Sequence, residues 1–135
     1  MENKIGSRAK ERRKMIDNRL AIEIAKLADD KKAKDVVIMD MRGFSTACDF
    51  FVIASATNTT QARAIADNIE EGMLESHDLP FSRKEGYREA EWVLLDYGDV
   101  VAHVFLTESR EYYALEDLWK GADLFLLSEV VDEKV

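Results

Sequence analysis

The sequence predicts an α/β domain in which a mixed β-sheet is flanked by helices. Its 135 residues suit a single domain with one hydrophobic core. Short apolar runs rich in β-branched residues alternate with amphipathic helical patterns along the chain. A content of 47% hydrophobic and 34% charged residues is that of an ordinary soluble globular protein, which argues against a disordered or membrane-embedded class.

The first half of the domain predicts a helix followed by two strands. Apolar side chains recur at helical spacing in the first of these elements, at Ile16, Leu20, Ile24 and Leu27. Residues 36–39 and 50–54 are continuous apolar runs, as expected of strands buried on both faces. Gly43 lies in the turn between them, so the two strands are expected to pair antiparallel.

A second helix and a hairpin complete the predicted order. Asn58 and Gln61 form a pattern typical of a capping box, so a helix should begin there and run to about Ser76. Residues 81–90 are polar and suit an edge strand or loop. Residues 92–95 and 100–106 are predicted strands joined by a tight turn over residues 96–99, and a short helix is expected over 115–119.

Charge divides the chain into segments. Residues 1–15 form a basic arm, 16–119 the core domain, and 120–135 a C-terminal extension that ends in a loose acidic tail, although its apolar residues 124–127 are able to pack. Residues 1–14 carry six basic and two acidic side chains, a net charge of +4. Because the whole chain has a net charge of −8, the remaining residues carry −12. An acidic body attracts basic surfaces or simply confers solubility, and the arm suits either RNA contact or a solvated terminus.

The sequence indicates a cytoplasmic protein without a catalytic site, metal or cofactor. No apolar run is long enough to span a membrane, no secretory h-region is evident, and the lone Cys48 offers no disulfide framework. The six glycines never cluster as in a phosphate-binding loop. Cys48 is expected to be a small buried side chain, and His103 a structural residue with satisfied hydrogen bonds.

The segment from residue 92 to residue 119 is the best candidate for function. Asp96 and Asp99 flank the predicted turn. Two carboxylates at such a position could bind Mg²⁺ or act as acid and base. We favour a third interpretation, in which they stabilise the turn through hydrogen bonds to nearby backbone N–H groups. Large aromatic residues are interleaved with acidic ones throughout the segment. Aromatic anchors surrounded by carboxylates are typical of a surface that selects a partner rich in lysine and arginine, although several of these rings are also expected to lie in the core.

Four ordered blocks resemble the Iojap-related ribosomal silencing factors (RsfS). Residues 92–105 resemble the signature segment of that family, and residues 110–119 resemble its closing motif. Residues 40–43 with 49–54 resemble its early strand pair, and residues 57–69 its polar-capped helix. Four blocks in the same order are far more specific than one short motif.

The resemblance implies a translation repressor that docks on the large ribosomal subunit. Its partner would be the fourteenth ribosomal protein of that subunit, at the face where the small subunit attaches, and family members also pair as homodimers. The family fold is nucleotidyltransferase-like, but Asp49 is followed by two phenylalanines, so the second catalytic carboxylate is missing and no enzyme is expected. The alternative is a nucleotide-handling enzyme that uses Asp49, Asp96 or Asp99 with Mg²⁺.

Carried over position by position, the resemblance also implies the partner-binding residues. Trp92 would be the apolar anchor, and Asp96 and Asp99 would pair with basic side chains of the partner. Gly98 is assigned to the turn and Trp119 to packing against the sheet. The remaining implied contacts are Tyr97, Arg110, Glu111 and Tyr113.

Overall fold

The computed structural model describes residues 19–134, with side chains up to residue 130. The helices are α1 (Arg19–Asp29), α2 (Thr59–His77), α3 (Thr107–Tyr113), α4 (Leu115–Leu118) and α5 (Leu127–Lys134). The strands are β1 (Lys34–Asp40), β2 (Phe50–Ala56), β3 (Arg83–Glu85), β4 (Trp92–Asp96), β5 (Val100–Leu106) and β6 (Leu124–Leu126).

All six strands form one mixed sheet in the order β3-β4-β5-β2-β1-β6. The β1–β2 pair and the β4–β5 hairpin are antiparallel, as predicted, while β2 and β5 run parallel in the middle of the sheet. The parallel pair requires a long crossover, which α2, β3 and β4 supply. The predicted mixed sheet flanked by helices is therefore confirmed.

The sheet has two different faces. Helices α1 and α2 pack on the first face, where Ile22, Ile65 and Val104 belong to the larger hydrophobic core. The second face carries a smaller core that includes Met39, Ile53 and Phe105, together with residues from the α3–α4 segment. Within the described residues, two long helices and part of the C-terminal helix cover the first face, whereas the second carries the short α3–α4 segment and the residues that follow it.

The predicted cap of α2 is present, with one difference. The Asn58 side chain accepts a hydrogen bond of 2.8 Å from the backbone N–H of Gln61. The Gln61 Oε1 accepts from the backbone N–H of Thr57, one residue before the cap, and its amide donates to the carbonyls of Lys31 and Lys32. Gln61 therefore ties the start of α2 to the loop after α1 as well as closing the cap.

The C-terminal segment is ordered into two elements that the sequence analysis did not predict. Strand β6 pairs antiparallel with β1, so Leu126 and Leu124 lie opposite Val37 and Met39. Helix α5 follows at once and buries Val130 in the larger core, where a loose acidic tail was expected. Helix α3 was also missed, because Thr107–Tyr113 has no buried residue and hence no apolar stripe.

Within residues 19–134, no helix is both long and apolar enough to cross a lipid bilayer.

Candidate functional site

A cluster of five rings lies on the second face of the sheet, where β4 begins and β5 ends. Trp92 is at its centre, with its ring centroid 4.8 Å from that of Phe105 and 4.7 Å from that of Tyr113. Phe51 meets the His103 ring edge-on at 4.5 Å. We call these residues the aromatic cluster: Phe51, Trp92, His103, Phe105 and Tyr113. Trp92 and Phe51 are half-buried and Tyr113 is 49% exposed, so part of the cluster faces solvent.

His103 is bonded on only one side, which differs from the expected satisfied residue. The Trp92 indole N–H donates to His103 Nδ1 over 3.0 Å, whereas His103 Nε2 is buried and has no hydrogen-bond partner within the described part of the chain. Burial among rings lowers the pKa of His103 from 6.5 to about 4, since the apolar surroundings disfavour the charged form. The imidazole is therefore neutral at physiological pH.

Strand alternation places an acidic residue on the same face as the aromatic cluster. Side chains two residues apart share a face, so Trp92, Leu94 and Asp96 point to the same side of β4. Trp92 and Asp96 are consequently separated by about 13 Å along the strand. The other large apolar side chains of the described residues that are exposed are Phe44, Leu74, Phe81, Tyr112, Leu118, Leu124 and Leu126.

Three aspartates gather at the other end of this hairpin, and we call them the acidic rim: Asp49, Asp96 and Asp99. Asp49 and Asp99 precede the adjacent parallel strands β2 and β5, and the Asp49 backbone N–H donates to the Asp99 carbonyl over 2.7 Å. Both side chains are exposed, and Asp96 is partly exposed.

Turn geometry explains Asp96, as the sequence analysis favoured. Its Oδ1 accepts a 2.8 Å hydrogen bond from the backbone N–H of Gly98, whose φ of +89° suits glycine. Among the described residues, no group of three or more His, Cys, Asp or Glu side chains is arranged to hold a metal ion.

Two of the predicted contact residues lie apart from this surface. Tyr97 belongs to the larger core on the first face, where burial raises its pKa to about 12. The reason is the alternation along the chain, which sends Tyr97 to the side opposite Asp96. Cys48 and Trp119 occupy the structural positions expected of them, packed in the smaller core, and burial raises the pKa of the Cys48 thiol.

Arg110 is the second residue that lies apart, because its guanidinium is used inside the molecule. Its side chain is only 11% exposed. It donates to Glu116 Oε2 over 2.9 Å, to Ser55 Oγ over 2.9 Å and to the Asp35 carbonyl over 2.7 Å. Arg110 thereby fastens the α3–α4 segment to β1 and β2, while its neighbour Glu111 is exposed.

The structure therefore brings Trp92 and Tyr113 into contact, with Asp96 and Asp99 further along the same hairpin. Phe51 and Leu94 join this surface, and the sequence analysis missed both. A signal for Leu94 was available, since it lies two residues from Trp92 in a predicted strand. No local signal identifies Phe51, because its contact with the cluster depends on the pairing of β2 with β5.

Comparison with protein families gives a match over nearly the whole chain. Residues 14–134 match the family described as ribosomal silencing factor during starvation. A ribosomal silencing factor RsfS from Halalkalibacterium halodurans is 43% identical over 103 residues, which are 76% of this chain and 87% of that protein.

A more distant relative and a solved structure extend the comparison. The mouse protein named mitochondrial assembly of ribosomal large subunit protein 1 is 30% identical over 98 residues, or 71% of this chain and 43% of the relative. A crystal structure of a Chromobacterium violaceum protein superposes with a TM-score of 0.74 at 29% identity, covering 76% of this chain and 85% of that one. The chain belongs to the ribosomal silencing factor family.

Proposed function

We propose that the protein represses translation by docking on the large ribosomal subunit and sterically blocking its association with the small subunit. The observation that supports this most is the half-exposed Trp92, which stacks on Phe105, contacts the Tyr113 ring and is followed along the same face by Asp96. Large aromatic side chains are the usual energetic anchors of protein interfaces. Family membership points to the ribosome, and the name of the mouse relative refers to the large ribosomal subunit.

The proposed docking surface consists of an apolar centre and an acidic edge. Phe51, Leu94 and Trp92 supply the centre with Tyr113, and the acidic rim with Glu111 supplies the edge. A patch of this kind fits a partner that offers an apolar pocket bordered by lysine or arginine. We propose the fourteenth protein of the large subunit as that partner. Tyr97 and Arg110 do not belong to the surface, since both are engaged inside the fold.

Further parts of the proposal concern how the protein acts. We propose that it works in the cytoplasm, by binding alone and without turnover, and that it pairs as a homodimer when it is off the ribosome. The basic arm of residues 1–15 lies outside the described residues, and its charge suits a contact with ribosomal RNA.

Subunit reassociation on sucrose gradients tests the proposed function. Purified small and large subunits of the source organism are mixed at permissive Mg²⁺, with and without the wild-type protein, and intact ribosomes are quantified. The expected result is loss of intact ribosomes with the wild type, with the protein migrating on the large subunit. Binding to the isolated fourteenth protein then tests the partner separately.

Matched variants locate the surface in the same assay. Asp99→Lys should restore ribosome formation, because it reverses an exposed charge of the acidic rim. Glu75→Lys makes the same charge change at an exposed position of α2, on the opposite layer, and should remain as active as the wild type. If the wild-type protein leaves ribosome formation unchanged, the proposed function is wrong and a nucleotide-handling enzyme becomes the better hypothesis. If the two variants are equally active, the acidic rim is not part of the docking surface.

A further inference from the structure

We propose that His103 is a positioning residue for docking, which holds the Trp92 indole in one orientation and occupies its only hydrogen-bond donor. Trp92 then presents a purely apolar anchor, and the partner pocket that receives it needs no acceptor for the indole N–H. This inference rests on the proposed function and refines the chemistry of the same surface.

The direction of the hydrogen bond fixes the tautomer of His103. An indole N–H only donates, so the imidazole Nδ1 that lies 3.0 Å away must accept through a lone pair. In the neutral ring, the proton is then on Nε2. Lowering of the His103 pKa by burial keeps the ring in this neutral state at physiological pH.

The surroundings of the imidazole leave it a single orientation. Phe51 meets one side of the ring edge-on at 4.5 Å, and Phe105 lies nearly parallel to it, with an interplanar angle of 11°. Strand pairing places His103 directly opposite Leu94 on β4 and Ile53 on β2. The ring is thus clamped by apolar neighbours, and its acceptor atom is aimed at Trp92.

Stability alone does not account for a histidine at this position. Its Nε2–H is buried without a partner, and a buried donor that lacks an acceptor is unfavourable. Leucine would fill the site without an unpaired polar atom. Among residues 19–134, the one polar contact that the His103 side chain makes is with Trp92, which points to Trp92 as the reason for the residue.

A fixed indole is useful for binding. A side chain that already holds its bound rotamer loses less conformational entropy when the complex forms. Because the indole N–H is bonded within the protein, burying Trp92 in an apolar pocket strands no donor. The partner pocket is therefore expected to be lined by aliphatic or aromatic side chains, with basic residues only around its border.

Two substitutions separate positioning from stability. His103→Asn places its Oδ1 at the position of the imidazole Nδ1 and keeps an acceptor for Trp92, although it leaves a cavity and a buried amide. His103→Leu removes the acceptor and also removes the unpaired donor. His103→Leu should therefore melt at the same temperature as His103→Asn or higher, yet bind large subunits more weakly.

The measurement is the dissociation constant for purified large subunits, taken beside the melting temperature of each variant. We expect His103→Leu to weaken binding by about tenfold and His103→Asn by about threefold or less, as for loss and retention of a preorganised anchor. Affinity that follows melting temperature, with His103→Leu binding like the wild type, overturns the positioning role alone. Wild-type protein that does not bind large subunits overturns the proposed function and, with it, any docking role for His103.

A second readout needs no ribosome. The chain has two tryptophans, so ¹⁵N-indole labelling gives two N–H signals, and Trp92→Phe identifies the one from Trp92. Hydrogen exchange of that signal should be slow in the wild type and in His103→Asn, and fast in His103→Leu. Equal exchange in all three proteins would show that His103 does not hold the indole.

Discussion

Burial moves the pKa values of two residues of the β4–β5 hairpin in opposite directions. The pKa of His103 falls to about 4, and that of Tyr97 rises to about 12, because desolvation disfavours the charged form of each group. Both side chains are consequently neutral at physiological pH, His103 on the second face and Tyr97 on the first. The aromatic cluster itself is therefore uncharged, and the charge of the proposed docking surface comes from the acidic rim and Glu111.

The His103 shift predicts a specific loss of stability in mild acid. Its folded pKa of about 4 lies below the unfolded value of 6.5, so the unfolded chain binds more protons between these two pH values. The free energy of unfolding should fall as the pH drops from 6.5 towards 4, by on the order of 3 kcal/mol from this group. Urea titrations at several pH values measure the slope.

His103→Leu is the control for that slope. Carboxylates contribute equally to both proteins, so the difference between the two pH profiles isolates the histidine. The two profiles should diverge below pH 6.5, and parallel profiles over the whole range would contradict the burial of a neutral imidazole.

At the scale of elements, the α3–α4 segment is held in place mainly by the Arg110 side chain, because the segment has no apolar stripe with which to pack. Helix α3 has no buried residue, and α4 buries only Leu115. Arg110 joins the segment to Glu116 within it and to β1 and β2 beneath it. Because Tyr113 is the last residue of α3, this clamp also sets where its ring meets Trp92.

Replacing the clamp should destabilise the protein much more than replacing its neighbour. Arg110→Met leaves Glu116 and the Ser55 hydroxyl without their partner, which should lower the free energy of unfolding by about 2 kcal/mol. Glu111→Gln changes an exposed charge one residue away and should cost less than about 0.5 kcal/mol. Urea unfolding measures the free energy of unfolding of both variants. Equal stability of the two would show that the Arg110 hydrogen bonds do not hold the α3–α4 segment in place.

At the scale of the whole molecule, charge is segregated along the chain. The basic residues 1–14 sum to +4 and the remainder to −12. The acidic rim lies at one end of the β4–β5 hairpin and the aromatic cluster at the other. A partner rich in basic side chains is thus attracted to the body of the protein before the apolar contacts form.

This arrangement predicts that salt acts mainly on the association rate with large subunits. Raising the ionic strength screens the charges that accelerate encounter, whereas contacts already buried are screened much less. Surface plasmon resonance over a salt series should show association slowing more than dissociation quickens. Asp99→Asn should flatten this dependence and Glu75→Gln should flatten it less, while a salt-independent association rate would refute the electrostatic contribution.

The predictions that succeeded rest on local or periodic signals. The β1–β2 pair, the capping of α2 by Asn58 and the turn around Gly98 were all predictable, because each depends on residues close together in sequence. The capping oxygen belongs to one side chain and the positive φ to one glycine backbone, so a short segment is enough to predict each of them. The resemblance of four ordered blocks likewise identified the family before any contact was known.

Tertiary structure alone decided which of the candidate residues share a surface. His103 meets Phe51 because β2 pairs in parallel with β5, whose partner residues are 50 positions further along the chain. Trp92 meets Tyr113 because the α3–α4 segment packs against the β4–β5 hairpin, and neither contact leaves a local pattern. Edge strand β6 forms because β1 offers it unpaired backbone N–H and C=O groups. A strand of three residues is too short to be predicted from its own sequence pattern. Local chemistry thus determined the elements and their turns, whereas the proposed docking surface depends on non-local hydrogen bonding and packing that only the folded sheet specifies.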